Sequence, residues 1–110
     1  MSHPFHVYGA ALGLVSELRS VLGELATSDR ALADQLRRAA SSVVLNIAEG
    51  NRRTGKDRVH FFRIAAGSAA EVRAALEVGR AWGNIEAAPA AEAELDRVLA
   101  MLWRLTHRRG

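Results

Sequence analysis

Apolar residues recur along this chain at alternating steps of four and three, a helical rhythm. Val7, Ala11, Leu14, Leu18, Val21 and Leu25 form one stripe, and Tyr8, Leu12, Val15 and Leu22 widen it. The pattern predicts a helix over about 6–25. Its stripe is broader than a single seam needs, which predicts a second contact such as another subunit. A polar turn follows at 26–30, where Ser28 or Asp29 can cap the next helix. That helix is predicted over 31–49 from Leu32, Leu36, Ala39, Val43 and Ile47, with Gly50 as its C-terminal stop. After the connection NRRTG, a third helix is expected over 56–82, with Phe61, Phe62, Ala65, Ala69, Val72, Leu76 and Gly79 on its apolar arc and Gly83 and Asn84 ending it. Pro89 opens a fourth over 90–107, whose stripe is Leu95, Val98, Leu99, Leu102 and Leu105. The two prolines, Pro4 and Pro89, fall outside the helical patterns, and no β-branched alternation occurs. Four amphipathic helices with short connections predict an all-α fold, a single antiparallel up-down-up-down four-helix bundle forming one domain over 1–110. The ends, 1–4 and 107–110, are expected to fray.

The second helix carries polar residues that the core does not require. At about 100° per residue, Gln35, Arg38, Ser42, Asn46 and Glu49 gather on a narrow arc beside the apolar one. Ser and Asn are indifferent helix formers because their side chains compete for backbone groups. The stripe is therefore either a hydrogen-bonded network at a helix or subunit interface, or a ligand site. The third helix echoes it, with Ser68 inside the apolar arc and Glu71 at its edge. The run AAGSAA lets another helix come close there, and Glu71 is a candidate partner for an Arg of the second helix.

Charge changes the picture more by distribution than by total. The net charge is +3, from 15 basic and 12 acidic residues, in a chain that is 49% hydrophobic. From Arg37 to Arg63 the basic residues are Arg37, Arg38, Arg52, Arg53, Lys56, Arg58 and Arg63, opposed only by Glu49 and Asp57. Glu86, Glu92, Glu94 and Asp96 cluster around the last connection instead. Arg52, Arg53, Lys56 and Arg58 are the candidate nucleic-acid-binding residues, since Arg suits bidentate contacts to phosphate. The alternative is a solvated face, or pairing with a neighbour's acidic cluster.

Residues 35–71, QLRRAASSVVLNIAEGNRRTGKDRVHFFRIAAGSAAE, resemble the signature of a bacterial four-helix-bundle family. It is named after open reading frames in intervening sequences of 23S ribosomal RNA genes. The likeness rests on Q-L-R-R-A at 35–39, Ser42, N-I-A-E-G at 46–50, Arg53, Lys56, Phe61, Ile64, Ala65, Gly67, Ser68 and Glu71. Where the family usually has Ile and Pro after the Ser, this chain has Val43 and Val44. The resemblance implies a homo-oligomer, a pentameric ring of bundles. It also implies a relation to the accessory proteins of diversity-generating retroelements, basic pentamers that bind a reverse transcriptase and nucleic acid. No catalytic residue carries over.

The expectation is a non-enzymatic protein without cofactor or metal. Its partners would be further copies of itself and RNA or DNA, or a docked enzyme such as a reverse transcriptase. Di-metal bundles need Glu-x-x-His pairs, and this chain has none; His60 three residues after Asp57 stands alone, and His3, His6 and His107 lie near the ends. Ser42 and Ser68 have no His at a suggestive spacing. GNRRTGK lacks the Ser or Thr that follows the Lys of a phosphate loop, and the preceding strand. No helix-turn-helix, zinc finger or aromatic platform stands out. Cys is absent, and neither a signal peptide nor an apolar run of bilayer length occurs, so a cytoplasmic protein is expected.

Overall fold

The four stripes become four helices, α1 (Pro4–Ser28), α2 (Arg30–Asn51), α3 (Gly55–Ala81) and α4 (Pro89–Thr106), in a computed structural model that describes residues 4–107. No strand occurs among the described residues. Each helix packs on two neighbours, α1 on α2 and α4, α3 on α2 and α4, while the diagonal pairs scarcely touch. This is an up-down-up-down four-helix bundle, a rod of 46 × 22 × 19 Å. One end carries the start of α1, the α2–α3 connection and the end of α4. The other carries the α1–α2 and α3–α4 connections.

The axis of the rod is filled from all four helices. Leu14, Leu18 and Leu25 meet Leu36, Val43 and Ile47 of α2, Phe62, Val72 and Leu76 of α3, and Leu95, Val98 and Leu102 of α4, all essentially fully buried. The breadth of the α1 stripe is mostly absorbed inside this core. Tyr8, Val15 and Leu22 pack against it partly buried, and only Leu12 stays well exposed. The excess apolar surface expected of α1 thus serves its own neighbours, because α1 has a helix on each side.

The helix ends differ from the expected ones for local reasons. The α1–α2 turn is shorter than 26–30: α1 continues to Ser28, and Asp29 alone separates it from α2. Asp29 is the cap, its Oδ1 accepting from the Leu32 N–H at 3.0 Å while its own N–H donates to the Leu25 carbonyl at 2.7 Å. Gly50 does not stop α2. The helix runs on to Asn51, Arg52 caps it in right-handed conformation, and among the described residues only Gly55 and Gly83 have positive φ. Gly50 is glycine because a Cβ there would lie 2.5 Å from Phe62 Cε1. Arg58 closes this end, donating from Nε to the Gly50 carbonyl at 3.1 Å and from Nη2 to the Asn51 carbonyl at 3.2 Å. Pro4 and Pro89 are each the first residue of a helix, where the fixed φ and missing N–H cost nothing. Of the expected frayed ends, 1–3 and 108–110 lie outside the described residues, as does His3.

Candidate functional site

Only part of the polar stripe meets. Ser42 and Ser68 share a hydrogen bond of 2.7 Å between their hydroxyls across α2 and α3, and Ser68 is buried. Asn46 Nδ2 donates to Ser42 Oγ at 3.0 Å and to the Ser42 carbonyl at 2.9 Å. These three side chains bond to one another between α2 and α3. Glu49 turns away to the α2–α3 connection, and Gln35, Arg38 and Glu71 stand exposed. Arg38 and Glu71 make no ion pair among the described residues, so the pairing expected of Glu71 does not form within the chain. Beside them Leu45, Ile64 and Val78 are exposed, giving α2 and α3 a mixed apolar and charged outer face.

The four basic candidates divide into two kinds. Arg53 is held three ways: by Glu49 at 2.8 Å, by Asp57 at 3.8 Å, and by the Phe61 ring, whose centroid lies 4.9 Å from its guanidinium carbon. Arg58 is committed to the carbonyls that end α2. Arg52 reaches Glu49 only at 3.7 Å, with its side chain 78% exposed. Lys56 is exposed, with no hydrogen bond or ion pair among the described residues. Arg63, outside the candidate set, is likewise exposed and unpaired on the first half of α3. Among the described residues of the α2–α3 connection and the start of α3, the freest cations are therefore Arg52, Lys56 and Arg63.

Charge is separated along the rod. The stretch 49–63 holds five cations against Glu49 and Asp57, while at the far end 24–34 and 77–92 hold six carboxylates against Arg30 and Arg80. The acidic cluster around the last connection is largely neutralised within its own chain. Arg80 meets Glu92 at 2.6 Å, Arg97 meets Glu94 at 3.2 Å, and Arg73 pairs with Asp96. Among the described residues the α2–α3 connection therefore keeps an unmatched positive surface.

That basic end also holds an aromatic pair outside the candidates that the sequence pattern offers. Trp103 is 61% exposed, and its ring stacks on His107 at 4.4 Å with an 11° interplanar angle. The signal was available. Trp103 falls off the buried stripe of α4, and the spacing in WRLTH places the two rings one turn apart.

An open groove of about 550 Å³ runs between α1 and α2, lined by Val15, Leu22, Arg19 and Arg37 among others. Among the described residues no three His, Asp or Glu side chains gather as metal ligands. No described helix is long and apolar enough to cross a membrane.

Comparison with known proteins bears on the whole bundle. The model of the 23S rRNA-intervening sequence protein family matches residues 4–104. The fold is similar to the crystal structure of a protein of unknown function from the S23 ribosomal protein family of Bacteroides thetaiotaomicron. That likeness has a TM-score of 0.79 at 18% identity and covers 93% of this chain and 99% of that one. No curated protein matches the chain.

Proposed function

The chain belongs to the 23S rRNA-intervening sequence protein family, and on that footing we propose that it is a non-enzymatic, homo-oligomeric scaffold holding nucleic acid at the basic end of its bundle. The observation that carries this is the separation of charge along the rod. Arg52, Lys56 and Arg63 are exposed and loosely paired or unpaired, while Asp96, Glu92 and Glu94 of the acidic cluster are occupied by Arg73, Arg80 and Arg97. Polyanion binding draws on such a surface without base-specific contacts.

Repetition strengthens a modest patch. In a ring of five, the assembly that the family resemblance implies, five basic ends add their phosphate contacts. The outer face of α2 and α3 is suited to a second copy. Arg38 and Glu71 are both unpaired there beside the exposed Leu45, Ile64 and Val78, so the face offers each sign of charge and an apolar strip to a partner carrying the same set.

A second reading is an adaptor that docks an enzyme such as a reverse transcriptase, after the manner of retroelement accessory proteins. The same exposed Leu45, Ile64 and Val78 support it. The two readings part on one experiment. Arg52→Gln, Lys56→Gln and Arg63→Gln combined should weaken binding to single-stranded RNA and duplex DNA at least about tenfold, with mass by light scattering and thermal melting unchanged. Equal binding by the variant and the parent would remove the basic end from the account and leave the adaptor.

A further inference from the structure

We infer that the Trp103–His107 pair is a stacking platform for an unpaired base, so that the nucleic acid held at the basic end is a single strand. This rests on the reading of that end as a polyanion site and names the form of the ligand.

Three observations converge on it. First, Trp103 is 61% exposed, although an indole is the largest apolar side chain the core could have used. Second, the ring is held. It stacks on His107 at 4.4 Å, and the imidazole is fixed by contacts of Nδ1 with the Trp103 carbonyl at 2.9 Å and with Thr106 Oγ1 at 3.1 Å. Thr106 is buried and donates to the Leu102 carbonyl at 2.8 Å. An exposed aromatic surface fixed in this way has little ordering left to lose on binding. Third, the pair lies at the level of a free cation on the neighbouring helix. The Arg80–Glu92 and Arg73–Asp96 pairs set the antiparallel register of α3 and α4. Continued toward the basic end, that register brings Trp103 and His107 level with the stretch of α3 that carries Ala66 and Arg63. A planar platform at the level of an exposed guanidinium suits a strand whose base stacks while a phosphate along its backbone is neutralised. In a duplex the bases are stacked on each other and withheld from such a platform.

The other tryptophan supplies the control. Trp82 is 73% exposed but caps α3 at the acidic end, about 24 Å along the axis from the level of Trp103 at 1.5 Å per residue. With two tryptophans in the chain, Trp82→Phe leaves Trp103 as the sole reporter, and Trp103→Phe leaves Trp82.

The test titrates each variant with a short oligo-uridylate strand, and with a mixed-sequence duplex as comparison. Intrinsic emission is followed together with the anisotropy of end-labelled nucleic acid. The expected result is quenching of Trp103 and not of Trp82 as the strand saturates. Trp103→Ala should weaken strand binding by about 5- to 150-fold with little change for the duplex, and Trp103→Phe should restore much of it. If the strand binds by anisotropy while Trp103 emission stays constant and Trp103→Ala binds like the parent, the platform is overturned and the basic end stands. If neither nucleic acid binds at low salt, the basic-end reading falls and the platform with it. Should Trp103→Ala fail to fold, the emission of Trp82→Phe decides alone.

Discussion

Gly50→Ala sets two effects of opposite sign against each other. Gly50 lies inside α2 and is not one of the glycines with positive φ, so Ala should gain about 1 kcal/mol of helix propensity. Packing opposes it. The new Cβ would fall 2.5 Å from Phe62 Cε1, 2.7 Å from Phe62 Cδ1 and 3.4 Å from the Arg58 carbonyl oxygen. Carbon atoms settle at about 3.5–4.0 Å, so the ring must move by roughly 1 Å. Phe62 is only 1% exposed, so its ring moves only against neighbours packed at close to crystal density. Overpacking of this kind costs about 1–3 kcal/mol. Pushing the end of α2 away would also stretch the two hydrogen bonds from Arg58, each contributing about 1 kcal/mol. The net expectation is a loss of roughly 1–3 kcal/mol, a fall in Tm of about 5–15 °C for a domain of this size. Thermal melting by far-ultraviolet circular dichroism at fixed protein concentration measures it. Phe62→Leu removes the clashing ring atoms, so the double variant should lose at least about 1 kcal/mol less than the sum of the two single variants. A Gly50→Ala protein as stable as the parent, or more stable, would refute the argument.

Three further substitutions probe parts of the fold in the same melting assay. Asp29→Ala removes the cap on the Leu32 N–H and should cost about 1 kcal/mol; an unchanged Tm would mean that water caps the helix equally well. Ser68→Ala leaves Ser42 bonded to Asn46 and should also cost about 1 kcal/mol, whereas a stabilised variant would contradict a role for the buried hydroxyl pair. Arg58→Gln should lower Tm by several degrees through the carbonyls it leaves at the end of α2. Arg52→Gln, with its side chain 78% exposed, should stay within about 0.5 kcal/mol of the parent. Equal effects of these last two would undo the division of the basic residues.

Helices were legible because burial imposes a period, and the stripes of Leu18, Val43, Val72 and Leu102 carry it without help from neighbours. What the chain alone did not disclose depends on the neighbour across a gap. Gly50 read as a stop because glycine often ends helices. Its actual reason is Phe62, twelve residues on and on another helix. The basic run read as one patch, but Arg53 and Arg58 are spent on Glu49 and on the end of α2, and only the fold separates them from Lys56. The polar stripe was visible as an arc. Its division into the Ser42–Asn46–Ser68 cluster and an exposed Arg38 and Glu71 follows from where α3 lies. Trp103 was hidden differently, since one exposed aromatic gains meaning only when its partner and the surrounding charge are in place.

The most direct test of the nucleic-acid reading is the salt dependence of binding of purified protein to labelled single-stranded RNA. If Arg52, Lys56 and Arg63 each neutralise a phosphate, each contributes about 0.7 to the slope. The logarithm of the association constant should then fall against the logarithm of salt with a slope of about −2 or steeper for one bound subunit, and more steeply for a ring. An affinity indifferent to salt, or no binding at low salt, would contradict the claim that this end of the bundle is a phosphate-binding surface.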